Sequence, residues 1–304
     1  MNHPNHLDLE DYLRTRKAWV DRALSRWLKE YPGHTHAVWK AMRYGLFPGG
    51  KRIRPILTLA TGELFGARPK VLLPFACAVE MIHAYSIIHD DLPALDDDDI
   101  RRGEPAAHKV FGEGVALLAG DGLLTAAFHI LSSPEVRRAL PPELVLNLIH
   151  ELGHAAGVAG LVGGQAFDLE AENREVDLAT VEWIHVRKTG ALILASVRLG
   201  AQVAMARGAD LRRVSRFGEY LGLAFQIADD IVDAGGQGGA AGKRLESGRT
   251  ERKKATYPSV VGIAQAKERL RELLRNCIRE LEPFGEAAAA LRGIARRIVE
   301  PAVQ

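Results

Sequence analysis

Two stretches of this chain, Val115 to Leu131 and Ala191 to Ala206, keep the three- and four-residue spacing of a helix and are rich in small and apolar residues on all sides. A helix with no polar face must be enclosed by protein. Helices wrapped by helices form one large bundle, so the 304 residues are expected to be a single all-α domain, 1–304. The 47% hydrophobic and 26% charged fractions can furnish such a core. Ala, Leu, Glu and Arg dominate the rest, with the same periodicity in Leu144 to Leu152 and Leu270 to Leu281. Helix ends are expected at Pro48-Gly49-Gly50, Gly66 to Pro69, Ser132-Ser133-Pro134, Pro141-Pro142 and Gly208-Ala209-Asp210. Strand-like alternation is nearly absent, and no internal repeat is visible. The one low-complexity stretch, Ala234 to Gly242, reads as a flexible loop.

A net charge of only +2 marks no surface for nucleic acid or an anionic membrane. Cys77 and Cys277 are far apart and give neither a metal spacing nor a disulfide framework, so a cytoplasmic location is expected. The N-terminal segment lacks the apolar core of a signal peptide. No stretch approaches ~18 uninterrupted apolar residues, so a soluble protein without stable membrane insertion is expected.

Against that neutral background, six of the ten residues from Asp90 to Asp99 are aspartate. Met81 to Ile88 is apolar and helical in pattern, and Pro93 ends or bends the helix near Leu92. Asp90 and Asp91 therefore sit at a helix C-terminus, where the dipole disfavours anions unless a cation is present. A second cluster, FQIADDIVD, lies in a predominantly apolar helix, Tyr220 to Val232. Asp229 and Asp233, four apart, share one face, with Asp230 beside them. Three buried unpaired carboxylates would cost several kcal/mol each, so they need cations or solvent. Hard oxygen ligands with little His or Cys nearby suit magnesium, which fills its shell with water and phosphate oxygens.

Cations for a phosphorylated substrate accompany the aspartates. Gly49-Gly50-Lys51-Arg52-Ile53-Arg54-Pro55 places Lys51 and Arg54 three apart after a glycine turn. Arg101 and Arg102 follow the aspartate run, Lys188-Thr189-Gly190 interrupts a helical stretch, and Lys243 and Lys254 follow the second acidic helix. Arginine offers bidentate phosphate contacts and lysine a point charge.

The strings GGKRIRP, EMIHAYSIIHDDLPALDDDDIRRGEP, GEGVALLAGDGLL, GGQAFDLE, HVRKTGALI, GLAFQIADDIVD and KKATYPS occur in this order over about residues 43 to 262. In order and spacing the chain resembles the trans-isoprenyl diphosphate synthases, most nearly the bacterial farnesyl diphosphate synthases. The resemblance implies an all-α bundle around a deep central cavity, usually a homodimer, that joins isopentenyl diphosphate to an allylic diphosphate. It implies that Asp90, Asp91 and Asp96 form a first metal motif and Asp229, Asp230 and Asp233 a second, with magnesium ions between them. Gly50, Lys51, Arg54, His83 and Arg102 would hold isopentenyl diphosphate. Arg101, Lys188, Lys243 and Lys254 would grip the allylic diphosphate, and Thr189 and Gln226 would sit near the developing cation. The departing diphosphate would take the proton, so no protein base is sought. Arg101, Lys188, Thr189 and Gln226 then carry the catalytic roles.

Chain length is expected to be set by Tyr85 and Ser86, about one helical turn (~5.4 Å) before Asp90. An aromatic there with a small neighbour resembles the fifteen-carbon pattern; a geranylgeranyl synthase and a non-catalytic synthase subunit are the alternatives. A terpene cyclase would lack the second aspartate motif and the GGKRIRP segment. After Lys243 the run RLESGRTERKKATYP lacks the family's aspartate and has Lys253 where glycine is usual. The segment GGQGGAAGKR is no phosphate loop, because its glycine-to-lysine spacing is wrong and no strand precedes it. His89-Asp90 has no further histidines suitably placed for an HD-type phosphohydrolase.

Overall fold

The computed structural model describes residues 7–31, 36–47, 49–235 and 256–304. Lys243, Lys254 and the glycine-rich run after Gly235 lie outside the described residues. The chain divides into two compact units. One is Met1–Leu152 with Leu199–Ala206, and the other is Gly153–Arg198 with Arg207–Gln304.

The helices of the first half are α1 (Leu9–Lys29), α2 (Ala37–Leu46), α3 (Ile53–Leu64), α4 (Pro69–Asp90), α5 (Ala107–Phe111), α6 (Glu113–Leu131), α7 (Pro134–Ala139) and α8 (Pro142–Ala156). Then come α9 (Leu161–Ala171), α10 (Leu178–His185), a π-helical turn Val186–Gly190, α11 (Ala191–Val203), α12 (Gly208–Gly235), α13 (Tyr257–Val261), α14 (Ile263–Leu281) and α15 (Ala289–Val303). Among the described residues the only strands are β1 (Ile100–Arg101) and β2 (Glu104–Pro105), an antiparallel pair in which Ile100 faces Pro105. The all-α expectation holds.

Helix ends fall where the turn residues placed them. Ser133 caps α7 by accepting a bond from Val136 N, and Pro69 and Pro142 open α4 and α8, where a missing N–H costs nothing. In the first unit α4 is nearly enclosed and packs chiefly on α3 and α6. Small residues permit that approach: a Cβ on Gly62 would strike Leu72, and one on Gly120 would strike His89. In the second unit Leu223, Ile227 and Ile231 of α12 pack with Leu270 and Leu273 of α14 and Val299 of α15.

One burial expectation is corrected. From Ala191 to Val203 the residues are buried or half-buried as expected, but Met205 is 47% exposed, and Leu117 and Leu118 of α6 are 46% and 53% exposed. Periodicity shows that a face is apolar; it does not say what covers it. By length and composition three segments, Pro69–Asp90, Glu113–Ala139 and Pro142–Ala171, are also long and apolar enough to cross a membrane. Counting uninterrupted apolar runs passes over them, because groups such as Glu80 and His83 interrupt the first. In that segment the apolar surface is mostly buried inside the protein.

Candidate active site

In the first unit α4 ends because Pro93 cannot continue it, and the chain then folds back on the helix end. Asp96 N donates to the Asp90 carbonyl at 2.8 Å, Leu95 N to Leu92 O at 2.9 Å, and Asp97 N to Leu92 O at 3.1 Å. This turn sets Asp96 against Asp90, both half-buried. Asp91 differs: it is 2% exposed and bonded by Arg101, whose Nε donates to Oδ1 at 2.9 Å. Arg101 Nη2 bonds the same oxygen and also Asp98 Oδ2 at 2.7 Å. Burial raises the Asp91 carboxyl, and Arg101 opposes that shift. Of the first motif, Asp90 and Asp96 are presented together while Asp91 is engaged by Arg101.

Beside this turn the cations converge. Arg54 Nη1 lies 3.3 Å from His83 Nε2. A guanidinium can only donate, so His83 accepts and is neutral. Burial holds His83 well below its ordinary range, and the charges of Arg54, Arg102, Arg52 and Arg101 push it further down. A Cβ on Gly50 would lie 2.9 Å from Arg52 Nη1 and 3.5 Å from Arg102 Nη1, so the glycine turn runs directly under two guanidinium groups. Lys51 is exposed on that turn. Arg52, which sequence reading had not singled out, points inward instead. It donates to Asp21 Oδ1 at 2.8 Å, to Glu80 Oε1 at 2.6 Å and to the Leu46 carbonyl at 2.6 Å. On α4, Tyr85 and Ser86 are buried; the Tyr85 ring meets the His89 ring edge-on at 5.7 Å, and Ser86 Oγ donates to the His83 carbonyl. Burial and the charge of Asp90 push the Tyr85 hydroxyl up to about 12.

In the second unit the expected helix interruption is the π-helical turn Val186–Gly190, which carries Lys188 and Thr189. Such turns inside helices often mark functional positions. Gly164 makes it possible: a Cβ there would lie 2.3 Å from Lys188 N. Lys188 Nζ donates to Asp168 Oδ2 at 2.6 Å, a partner the GGQAFDLE motif contains but sequence spacing could not identify. Thr189 Oγ1 donates to Gln226 Oε1 at 2.8 Å, and Gln226 Nε2 donates to Asp230 Oδ1 at 3.0 Å. Asp230 also accepts from Tyr257 N at 2.8 Å and lies 3.3 Å from His185 Nε2. It is 6% exposed, whereas Asp229 and Asp233 are exposed. Two of the three carboxylates therefore face solvent, where cations can reach them, and the third fixes the start of α13.

Burial pushes Asp230 up to about 6 and His185 down to about 4. Asp230 takes a proton more readily when folded, so between pH 3.8 and about 6 it makes stability fall as pH rises. His185 resists protonation when folded, so between about 4 and 6.5 it makes stability rise with pH. The slopes oppose, so the contributions of this pair nearly cancel across the window. His185→Phe removes the rising slope, so the variant's stability relative to the parent's should fall by roughly 2–3 kcal/mol between pH 4 and 7. Urea unfolding at several pH values checks this; a variant curve parallel to the parent's would refute it.

A family model described as polyprenyl synthetase matches residues 35–292. The chain is 45% identical over 292 residues to a farnesyl diphosphate synthase of Geobacillus stearothermophilus, covering 96% of this chain and 97% of that protein. It is 43% identical over 298 residues to a farnesyl diphosphate synthase of Escherichia coli, covering 97% and 99%. Among solved structures, a FPP/GFPP synthase from Zymomonas mobilis superposes with a TM-score of 0.85 at 37% identity, covering 96% of this chain and 99% of that one.

Proposed function

Since this chain belongs to the polyprenyl synthetase family, we propose that it condenses isopentenyl diphosphate with dimethylallyl and geranyl diphosphate to give farnesyl diphosphate. The observation that carries this reading is the group of arginines around a neutral His83 beside the Asp90–Asp96 turn. A cluster of fixed cations next to carboxylates that need cations suits a metal-bound diphosphate.

Divalent metal is part of the proposal. Asp90, Asp96, Asp229 and Asp233 offer hard oxygen donors without sulfur, which fits magnesium. When bound, the metal would stabilise the negative charge that grows on the allylic diphosphate as its C–O bond breaks. The chain's own residues do the remaining work. Lys51, Arg54 and Arg102 hold the diphosphate of isopentenyl diphosphate, with His83 orienting Arg54. Lys188, set by Asp168, holds the allylic diphosphate; Lys243 and Lys254 are assigned to the same anion from sequence alone. Arg101 adds charge while it steadies Asp91. Thr189 and Gln226 hold each other by a hydrogen bond, and their oxygen dipoles would stabilise a carbocation formed beside them. The double bond of isopentenyl diphosphate attacks that cation, and loss of a proton gives the longer allylic product.

Incubating purified protein with magnesium, isopentenyl diphosphate and each allylic starter tests this, with a fifteen-carbon product expected. Absence of any condensation would end the proposal. Tyr85, 5% exposed on α4 one turn before Asp90, supports that length. Tyr85→Ala should shift product toward twenty carbons and longer; an unchanged chromatogram would remove Tyr85 as the ruler. A single domain, a cytoplasmic location and a homodimer complete the reading. The exposed Leu117 and Leu118 support the homodimer, and the free, buried Cys77 and Cys277 suit a reducing compartment.

A further inference from the structure

Three side chains to which the proposed reaction gives no role, two in the aspartate run and one beyond it, carry chemistry of their own. His108, in α5, is 6% exposed, and neither of its ring nitrogens has a hydrogen-bond partner. Leaving a buried polar group unsatisfied forfeits its hydration with nothing in return, so an imidazole with two orphaned nitrogens needs a reason. One ligand atom from each of Asp97, Asp99 and His108 falls in a cluster in which all lie within 4.8 Å of one another.

The backbone holds the three residues in place. Asp97 adopts a left-handed conformation with φ +54°, and its N–H is bonded to Leu92 O at 3.1 Å. The Asp99 carbonyl accepts from Ala106 N at 2.8 Å, the residue that caps α5. The β1–β2 pair closes the loop between them. Asp99 Oδ1 also receives Lys109 Nζ at 2.7 Å, a pair about half exposed that a divalent ion would outcompete or share. Burial holds His108 below its ordinary range, and Lys109 adds to that shift, so the ring is neutral and able to ligate at pH 7.

The geometry points to a second divalent-cation site formed by Asp97, Asp99 and His108. It is distinct from the aspartates assigned to the diphosphate metals and independent of the reaction proposed above. An imidazole with two carboxylates favours a borderline first-row ion such as zinc or cobalt over magnesium. Such an ion would satisfy one nitrogen of His108 and tie the turn after α4 to α5.

The full-length protein, stripped with chelator and held in excess magnesium without any diphosphate, is titrated with zinc by calorimetry and with cobalt by visible absorption. One equivalent should bind, with the cobalt spectrum showing nitrogen ligation. His108→Ala should weaken that binding at least tenfold, as should Asp97→Asn combined with Asp99→Asn, while Asp90→Asn and Asp229→Asn should retain it. His108→Gln, which keeps a polar side chain, serves as the second variant if alanine disturbs folding, and it should lose the nitrogen signature as well. No zinc or cobalt binding in the parent protein, binding unchanged in the His108 variants, or loss on Asp90→Asn would each overturn the site.

Discussion

Asp229→Asn is expected to lower kcat by roughly 10²–10³-fold, a loss of about 3–4 kcal/mol of transition-state stabilisation. Asp90→Asn should do the same. Bond breaking on the allylic diphosphate is driven by stabilising charge that grows on the leaving group, and an amide cannot hold a divalent cation as a carboxylate does. Asp229 is exposed on α12, so its substitution should leave unfolding stability within about 0.5 kcal/mol of the parent. Asp230 provides the contrast. It is buried and bonded to Gln226 and Tyr257 N, so Asp230→Ala should lose stability as well as activity. Steady-state kinetics over a range of magnesium concentrations, set beside urea unfolding, separates these cases. A kcat for Asp229→Asn within threefold of the parent would sink the metal assignment.

Arg52→Met is expected to have the largest effect on stability, about 3–5 kcal/mol. The Arg52 and Glu80 side chains are 1% and 4% exposed, so removing the guanidinium leaves a carboxylate enclosed without its cation. Burial already pushes Glu80 up, and without Arg52 the group would fold best protonated, making the variant weaker as pH rises. Arg52 also holds a left-handed backbone, φ +56°, at the N-cap of α3. That conformation costs a non-glycine residue on the order of 1–2 kcal/mol, which three side-chain bonds offset. Those bonds tie α1, the end of α2 and α4 to the turn that bears Lys51 and Arg54. Destabilisation should therefore come with a raised KM for isopentenyl diphosphate. Adding Glu80→Met to Arg52→Met should recover much of the stability, because the orphaned charge is gone. No recovery in the double variant would show that the pair does not act as a unit.

Much of the candidate site was legible because its signals are local. Pro93 stops α4 at the aspartates, and the four-residue spacing of Asp229 and Asp233 puts them on one face, as the structure shows. Lys188-Thr189-Gly190 reads as a break in a helix, and it is a π-helical turn. What escaped notice was every role assigned by a distant partner. Asp168 is 20 residues from Lys188, Glu80 is 28 from Arg52, and Tyr257 is 27 from Asp230. His108 gave no signal at all, because a histidine in a helical pattern looks the same with or without carboxylates folded toward it.

The chain by itself determined that it is helical, where its helices start and stop, and which residues bear chemistry in which order. Periodicity, capping and the backbone limits of proline and glycine act over a few residues and can be read one window at a time. Only the tertiary structure decided which aspartates meet solvent and which are buried, and which arginine serves the core rather than a substrate. Burial and long-range pairing set those energies, and both depend on neighbours that the order of residues does not name.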